Sequence, residues 1–237
     1  GMEHFGFSIS GAMAEYFIAK ETWLHKIPEE VSWTAGALVE PFSCGYYAAQ
    51  QADNVDASDT AIVFGAGPIG LGVVAAASAK GARVIIAEPS KERAAVAMKL
   101  GAEAVFDPSA PDAIEQAMKL TDGKGATVVF EASGKPQAMA MTLEVAGFRA
   151  RLVNIGINVG DSATAKLGLI QSKELQVRGI IGSPGVWPET IRFLARTGID
   201  LSPLVTKQFD LADAASAYDA VLNDKAQIKV HVQSNAK

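Results

Sequence analysis

Cysteine is nearly missing from this chain: Cys44 is the one thiol in 237 residues, and histidine occurs only three times. A single thiol excludes a disulfide framework within the chain and fits a reducing compartment, so a cytoplasmic location is expected. Positive charge is also short. Lys and Arg number 21 against 26 Asp and Glu, a net charge of -5. With no basic stripe to displace counterions from phosphates, nucleic acid is excluded as a partner. No uninterrupted apolar run reaches membrane-spanning length and no signal peptide precedes the first predicted strand, so no membrane partner is expected. Internal repeats and low-complexity tracts are absent as well. What remains is an apolar majority, with 49% hydrophobic and 20% charged residues, enough to bury a sizeable globular core.

Apolar runs and helical patterns alternate through the middle of the chain. Strands are predicted at Thr60–Phe64, Arg83–Ala87, Ala104–Phe106, Ala126–Glu131, Arg149–Ile155 and Leu175–Ile181. Helices are predicted between them at Pro68–Lys80, Lys91–Leu100, Asp112–Leu120 and Gln137–Val145. Strand–helix units with short connections make a parallel sheet covered on both faces. Two such halves give an α/β fold with a doubly wound parallel sheet (Rossmann), whose ligand crevice lies at the carboxyl ends of the strands. Further on, Pro188 suits the first turn of a helix carrying Ile191, Leu194 and Ala195, and Gly198 suits its end. Asp210 can cap a following helix with Leu211, Ala214, Ala215, Tyr218, Val221 and Leu222 at helical spacing.

The most specific local signal is Ala61-Ile62-Val63-Phe64-Gly65-Ala66-Gly67-Pro68-Ile69-Gly70, a strand running through Gly-x-Gly-x-x-Gly into a helix. Eighteen residues past Gly70, the next strand ends in Glu88. This is the arrangement a dinucleotide needs. Gly65 permits the tight turn, Gly67 lets backbone N–H groups approach a pyrophosphate, and Gly70 lets helix and strand pack closely. Pro68 and Ile69 open the helix, whose N-terminus supplies partial positive charge and free donors. Glu88 can accept hydrogen bonds from both ribose hydroxyls, and its charge repels a 2′-phosphate, which favours NAD over NADP. Arg93 nearby works against that preference. A methyltransferase shares a similar turn and acid and is the minor competitor.

Both ends differ from the middle. Ala12–Ile18 alternates, Thr22–Ile27 is a second extended piece, and Val205–Phe209 and Ile228–Val232 are short strands around one helix. These ends are expected to belong to a second, mostly β domain. The expected division is 1–35 as one part of that domain, 36–204 as the dinucleotide-binding domain, and 205–237 as a return to the first.

Taken together, the pieces resemble the medium-chain, zinc-type alcohol dehydrogenases, in the branch of sorbitol, 2,3-butanediol and threonine dehydrogenases. The resemblance is carried by Gly11-Ala12-Met13-Ala14-Glu15-Tyr16, Leu24-His25-Lys26-Ile27-Pro28, Ala37-Leu38-Val39-Glu40-Pro41 and the glycine turn. It continues through Phe130-Glu131-Ala132-Ser133-Gly134, Lys173-Glu174-Leu175, Arg178-Gly179-Ile180-Ile181-Gly182 and Leu201-Ser202-Pro203-Leu204-Val205-Thr206. One departure is Gly147-Phe148-Arg149, where a pair of glycines is more usual. That puts the local loop shape in question. The family's front end, with its zinc ligands, is not matched. The chain is therefore expected to be the coenzyme domain plus both fringes of a β-rich catalytic domain. Apolar surface is then expected to be exposed near Ala12–Ile27 and around Pro41–Tyr47.

The resemblance also implies roles. Glu40 matches an acid at or near the catalytic zinc; the plainer reading is a helix-start carboxylate. Cys44, one turn on, matches a position facing the nicotinamide, and a small buried packing residue is an equal reading. Ile155, Gly156 and Ile157, with Ile180 and Ile181, match strand ends that line the nicotinamide ring. Ala132 and Ser133 match a loop on the adenosine side, and Arg93 a residue near the adenine ribose; for these, strand-end packing and a solvated helix charge are the competing readings. Zinc usually needs three protein ligands, and His4, His25, His231 and Cys44 show no clustered spacing. Zinc is thus expected in the intact enzyme and not in this chain alone.

The function expected from the resemblance is the NAD-binding part of an alcohol or polyol dehydrogenase, moving hydride between a secondary alcohol and NAD, inactive by itself and built into a homo-oligomer, dimer or tetramer. Two alternatives stand beside it. One is a zinc-free, quinone-reductase-like oxidoreductase, against which Glu40-Pro41 speaks. The other is a non-catalytic NAD-binding module.

Overall fold

A computed structural model describes residues 5–234, so His4 lies outside the described residues. The chain divides into two compact units, Pro28–Leu201 and a second one built from the residues up to Ile27 and from Ser202 onward.

The larger unit opens with α1 (Trp33–Ala37) and α2 (Val39–Gln51). It then alternates β1 (Thr60–Phe64), α3 (Pro68–Ala79), β2 (Arg83–Ala87), α4 (Lys91–Lys99), β3 (Ala102–Phe106) and α5 (Ala113–Leu120). The second half has β4 (Ala126–Glu131), α6 (Pro136–Val145), β5 (Ala146–Asn154), α7 (Leu169–Ser172), β6 (Gln176–Gly179) and α8 (Trp187–Thr197). The strands form one sheet in the order β3-β2-β1-β4-β5-β6, with every pair parallel. This is the doubly wound order, with its reversal between β1 and β4. Phe64, the last residue of β1, pairs with Ala87 on one side and Glu131 on the other. The heads of these three strands therefore stand level at the crevice.

The central strands are apolar throughout because both their faces are covered. Ala61, Ile62, Val63 and Phe64 are completely buried. On one face Ile62, Phe64, Ile85, Phe106, Val129 and Leu152 pack with Ala117, Leu143 and Val145 of the helices. On the other, α3 is buried along most of its length, from Gly70 to Ala77. A helix apolar on all sides needs a second cover, and α2 provides it. The two helices cross so closely that a Cβ on Gly45 would lie 2.4 Å from backbone atoms of Gly72 and Val73.

That crossing corrects one expectation. Pro41, Phe42, Ser43, Cys44 and Gly45 are buried, not exposed, and Tyr46 and Tyr47 are half-buried. Phe193 of α8 stacks on Phe42 and packs at a tilt against Tyr46, with ring centroids at 6.3 and 4.9 Å. The expected end of α8 is found: Gly198 follows it in the left-handed region at φ 63°.

The fifth strand starts earlier than the apolar pattern suggests. Ala126 pairs with Ala146, and Val128 with Arg151. Two steps along β4 thus answer five along β5, and the excess forms a bulge at Gly147-Phe148-Arg149. Arg149 sits there at φ 58° and is held by Glu174 at 2.7 Å. At the sheet edge β6 stops at Gly179, short of the predicted Ile181.

In the second unit β7 (Val205–Asp210) and β8 (Lys229–Gln233) form a parallel pair joined through α9 (Ala214–Asn223). A short 3₁₀ turn, Leu211–Asp213, intervenes; Asp210 stands at its start but its side chain accepts no capping hydrogen bond from it. The front segment departs from expectation. Among the described residues Ala12–Ile18 forms no strand, and Glu21–Trp23 is a 3₁₀ turn. An alternating sequence becomes a strand only where a neighbour accepts its ladder, and the described residues supply none. Phe5 instead anchors the segment edge-on against Phe17 and Trp23. Met13, Tyr16, Phe17, Ile18 and Leu24 are exposed, as expected for this stretch.

Candidate functional site

The site grows from the end of β1. After Phe64 the chain turns through Gly65, Ala66 and Gly67 directly into α3. Gly65 adopts φ 92°, and a Cβ there would meet the Ser133 Cβ at 2.9 Å. A Cβ on Gly70 would stand 1.9 Å from the Gly65 carbonyl oxygen. Neither position admits a side chain. Gly67 is different: nothing lies within 4 Å of where its Cβ would be. The space above that backbone is open to a ligand. Pro68 has no N–H to leave unpaired, no side chain caps the helix, and the first intrahelical bond runs from Leu71 N–H to the Gly67 carbonyl. Ile69 and Gly70 N–H, by position, have no acceptor within the helix. A helix start of this kind is suited to an anion.

Facing the turn is Glu88, just past β2. Its Oε2 accepts from Ala66 N–H at 2.7 Å and its Oε1 from Ser90 N–H at 2.9 Å. Two backbone donors thus hold the carboxylate rigidly, and each oxygen keeps a lone pair for a further donor. Ser90 also caps α4, its hydroxyl accepting from Arg93 N–H at 3.3 Å. Between these parts runs a cleft of about 620 Å³, within the usual range for a small-molecule site. Gly65, Gly67, Glu88, Arg93, Ala132 and Ser133 all line it. Pro68, Ile69 and Gly70 form the helix turn that opens beside it.

Sequence reasoning missed several walls of this cleft. Pro108 and Ser109 come from beyond β3, Lys135 from the residue that precedes α6, and Gln137 and Met141 from α6 itself. The signal was available, since every loop at the carboxyl end of a doubly wound sheet borders the crevice. Also missed was Glu131, a fully buried carboxylate at the end of β4.

The other sequence-predicted residues lie outside the cleft. Ile155 is buried and Gly156 half-buried at the head of β5, and both donate their N–H to the Glu131 carbonyl, at 2.8 and 3.0 Å. Ile180 donates its N–H to the Asn154 carbonyl at 3.0 Å. Ile157 and Ile181 project into solvent. Glu40, in the first turn of α2, is exposed, and Cys44 one turn on is 5% exposed. Burial pushes the Cys44 thiol above its ordinary pKa and the Glu40 carboxylate pushes it further, while hydrogen bonds with Ser183 and Ser43 pull it partly back. Zinc usually takes at least three protein ligands. Among the described residues no group of three His, Cys, Asp or Glu gathers to hold a metal. Glu40 and Cys44 therefore do not fit a zinc ion by themselves. Among the described residues no helix is long and apolar enough to cross a membrane.

Residues 68–196, from the first turn of α3 into α8, match the zinc-binding dehydrogenase family. The chain belongs to that family. Among the zinc-binding dehydrogenases, it is 34% identical over 228 residues to the (R,R)-butanediol dehydrogenase of Neisseria gonorrhoeae, covering 95% of this chain and 64% of that one. The chain thus spans less than two thirds of that relative's length. A putative zinc-binding dehydrogenase of Sinorhizobium meliloti bound to NADP superposes with a TM-score of 0.88 at 26% identity, over 96% of this chain and 67% of that one. An alcohol dehydrogenase of Escherichia coli in complex with NADH gives 0.87 at 25% identity, over 95% and 67%. The resemblance seen in the motifs is thereby confirmed, as is the doubly wound fold.

Proposed function

We infer that this chain binds NAD(H) in the cleft at the head of β1 and serves as the coenzyme-binding part of an alcohol or polyol dehydrogenase. The observation that carries this reading is the Glu88 carboxylate, fixed by Ala66 and Ser90 amides opposite an open glycine backbone. The open N–H groups at the start of α3 would take the diphosphate, and Glu88 the adenosine ribose hydroxyls. Its charge disfavours a 2′-phosphate, so NAD is preferred over NADP; Arg93, on the same rim, tempers that preference. Ala132 and Ser133 would border the adenosine half. Ile155, Gly156, Ile157, Ile180 and Ile181, at the heads of β5 and β6, would support the nicotinamide half.

The coenzyme supplies a hydride acceptor at its nicotinamide ring when bound. What the protein adds is binding, orientation and a shaped surface. The substrate class we infer is a secondary alcohol or polyol, in a cytoplasmic homo-oligomer. Because the described residues assemble no metal cluster, the chain alone is expected to bind coenzyme without turning it over.

Calorimetric titration of the purified chain tests the reading. Binding of NADH with clear preference over NADPH is the expected result. Absence of heat with either coenzyme at millimolar concentration would overturn it.

A further inference from the structure

Glu131 ends β4 with its carboxylate completely buried. Among the described residues no cation pairs with it. A buried carboxylate survives only if donors replace its lost water. Here all of those donors come from the next three residues. Oε1 accepts from Ser133 N–H at 2.8 Å, from the Ser133 hydroxyl at 2.5 Å and from Gly134 N–H at 3.1 Å; Oε2 accepts from Gly134 N–H at 3.2 Å. The loop is thereby wound around one acid.

The same residue reaches the head of β5. Its carbonyl accepts from Ile155 and Gly156 N–H, and a Cβ on Gly156 would lie 2.6 Å from Glu131 Oε2 and 2.2 Å from Gly134 nitrogen. On the other side the loop packs on the glycine turn, with Ser133 filling the space over Gly65. The buried carboxylate therefore holds the Ala132–Gly134 loop, and that loop packs against the β1 turn on one side and the Ile155–Gly156 turn on the other.

We propose that Glu131 is the positioning residue of the coenzyme site, fixing the loop that lines the cleft and the β5 head in one geometry before the coenzyme arrives. The proposal rests on the coenzyme reading above. A loop held in its bound shape costs less ordering entropy on binding. Releasing it weakens binding without any lost contact to the ligand.

The test uses the whole chain with NADH as the probe, in wild type, Glu131→Gln and Glu131→Ala. Glutamine keeps an oxygen in the place of Oε1 for the Ser133 donors, and sets an NH₂ donor in the place of Oε2, 3.2 Å from the Gly134 N–H that now bonds both oxygens. A loss of about tenfold in NADH affinity is expected for Glu131→Gln, and a larger loss for Glu131→Ala. Amide hydrogen exchange supplies the second readout. It should accelerate at Ser133, Gly134, Ile155 and Gly156 in Glu131→Gln while Ile62 and Ile85 in the sheet centre stay protected. Equal NADH affinity in wild type and Glu131→Gln would overturn the proposal alone. Exchange accelerated evenly through β1 and β2 would reduce Glu131 to general stability and overturn it as well. Failure of the wild type to bind NADH would instead bring down the coenzyme reading on which it rests. If Glu131→Ala fails to fold, Glu131→Gln still decides.

Discussion

Gly70 lies under the carbonyl of Gly65, so close that a Cβ on Gly70 would stand 1.9 Å from that oxygen. The contact is backbone against backbone and no rotamer relieves it. Gly70→Ala must either push α3 off β1 or twist the Gly65 turn. The expected cost is about 3 kcal/mol of stability, with loss of NADH binding. Chemical denaturation and calorimetry on the same preparation check both. Gly67→Ala is the internal control, since its Cβ meets nothing within 4 Å. It should leave stability within about 1 kcal/mol and impair coenzyme binding alone.

Glu88 is the second lever. Replacing it by alanine removes the acceptor that Ala66 and Ser90 hold in place. NADH affinity should fall by about 10- to 100-fold, the worth of hydrogen bonds to a charged group. NADPH affinity should fall less or rise, because the repulsion of its 2′-phosphate goes with the carboxylate. Parallel titrations with the two coenzymes measure the shift, and an unchanged preference would remove Glu88 from the role inferred for it.

How much could be seen in advance follows from what each residue depends on. β1, β2 and β4 were legible because strands covered on both faces read as unbroken apolar runs. The jobs of Gly65 and Gly70 were legible because they are local. The burial of Pro41–Gly45 was not, since it depends on α3 and α8 folding over α2. Nor was the early start of β5, where Gly147 and Arg149 break the apolar pattern although pairing resumes from Ala146. Ala12–Ile18 shows the opposite failure: alternation without a partner strand does not make a strand. Glu131 sits within Phe130-Glu131-Ala132-Ser133-Gly134, but an acid at a strand end reads as exposed until the loop beyond it is known to turn back.

Cys44 should be chemically silent in the folded chain. It is 5% exposed, and burial together with Glu40 raises its pKa above the ordinary thiol value of 9.0. The thiolate is the reactive form, so little of it exists near neutral pH. Reaction with a chromogenic disulfide at pH 7.5 should be about a hundredfold slower than in 8 M urea. A fast reaction in native buffer would place Cys44 at an accessible surface and contradict its packing in α2.

The second unit carries a pH dependence of its own through His231 on β8. Its Nε2 is buried and has no hydrogen-bond partner among the described residues. Burial lowers its pKa from the ordinary 6.5, and the neighbouring Lys229 lowers it further. Between the lowered folded value and 6.5 the unfolded chain binds more protons than the folded one, so stability rises with pH across that window. It is level above about pH 7, and acidification through 6.5 drains it. Melting temperature should therefore fall between pH 7.5 and 5.5, and His231→Gln should fall less over the same range. Carboxylates whose pKa values are lowered, such as Asp56 and Asp107, titrate at lower pH and leave this window clear. A proton-resonance titration placing the His231 imidazole at 6.5 would remove the effect, and one placing it above 6.5 would reverse the predicted sign.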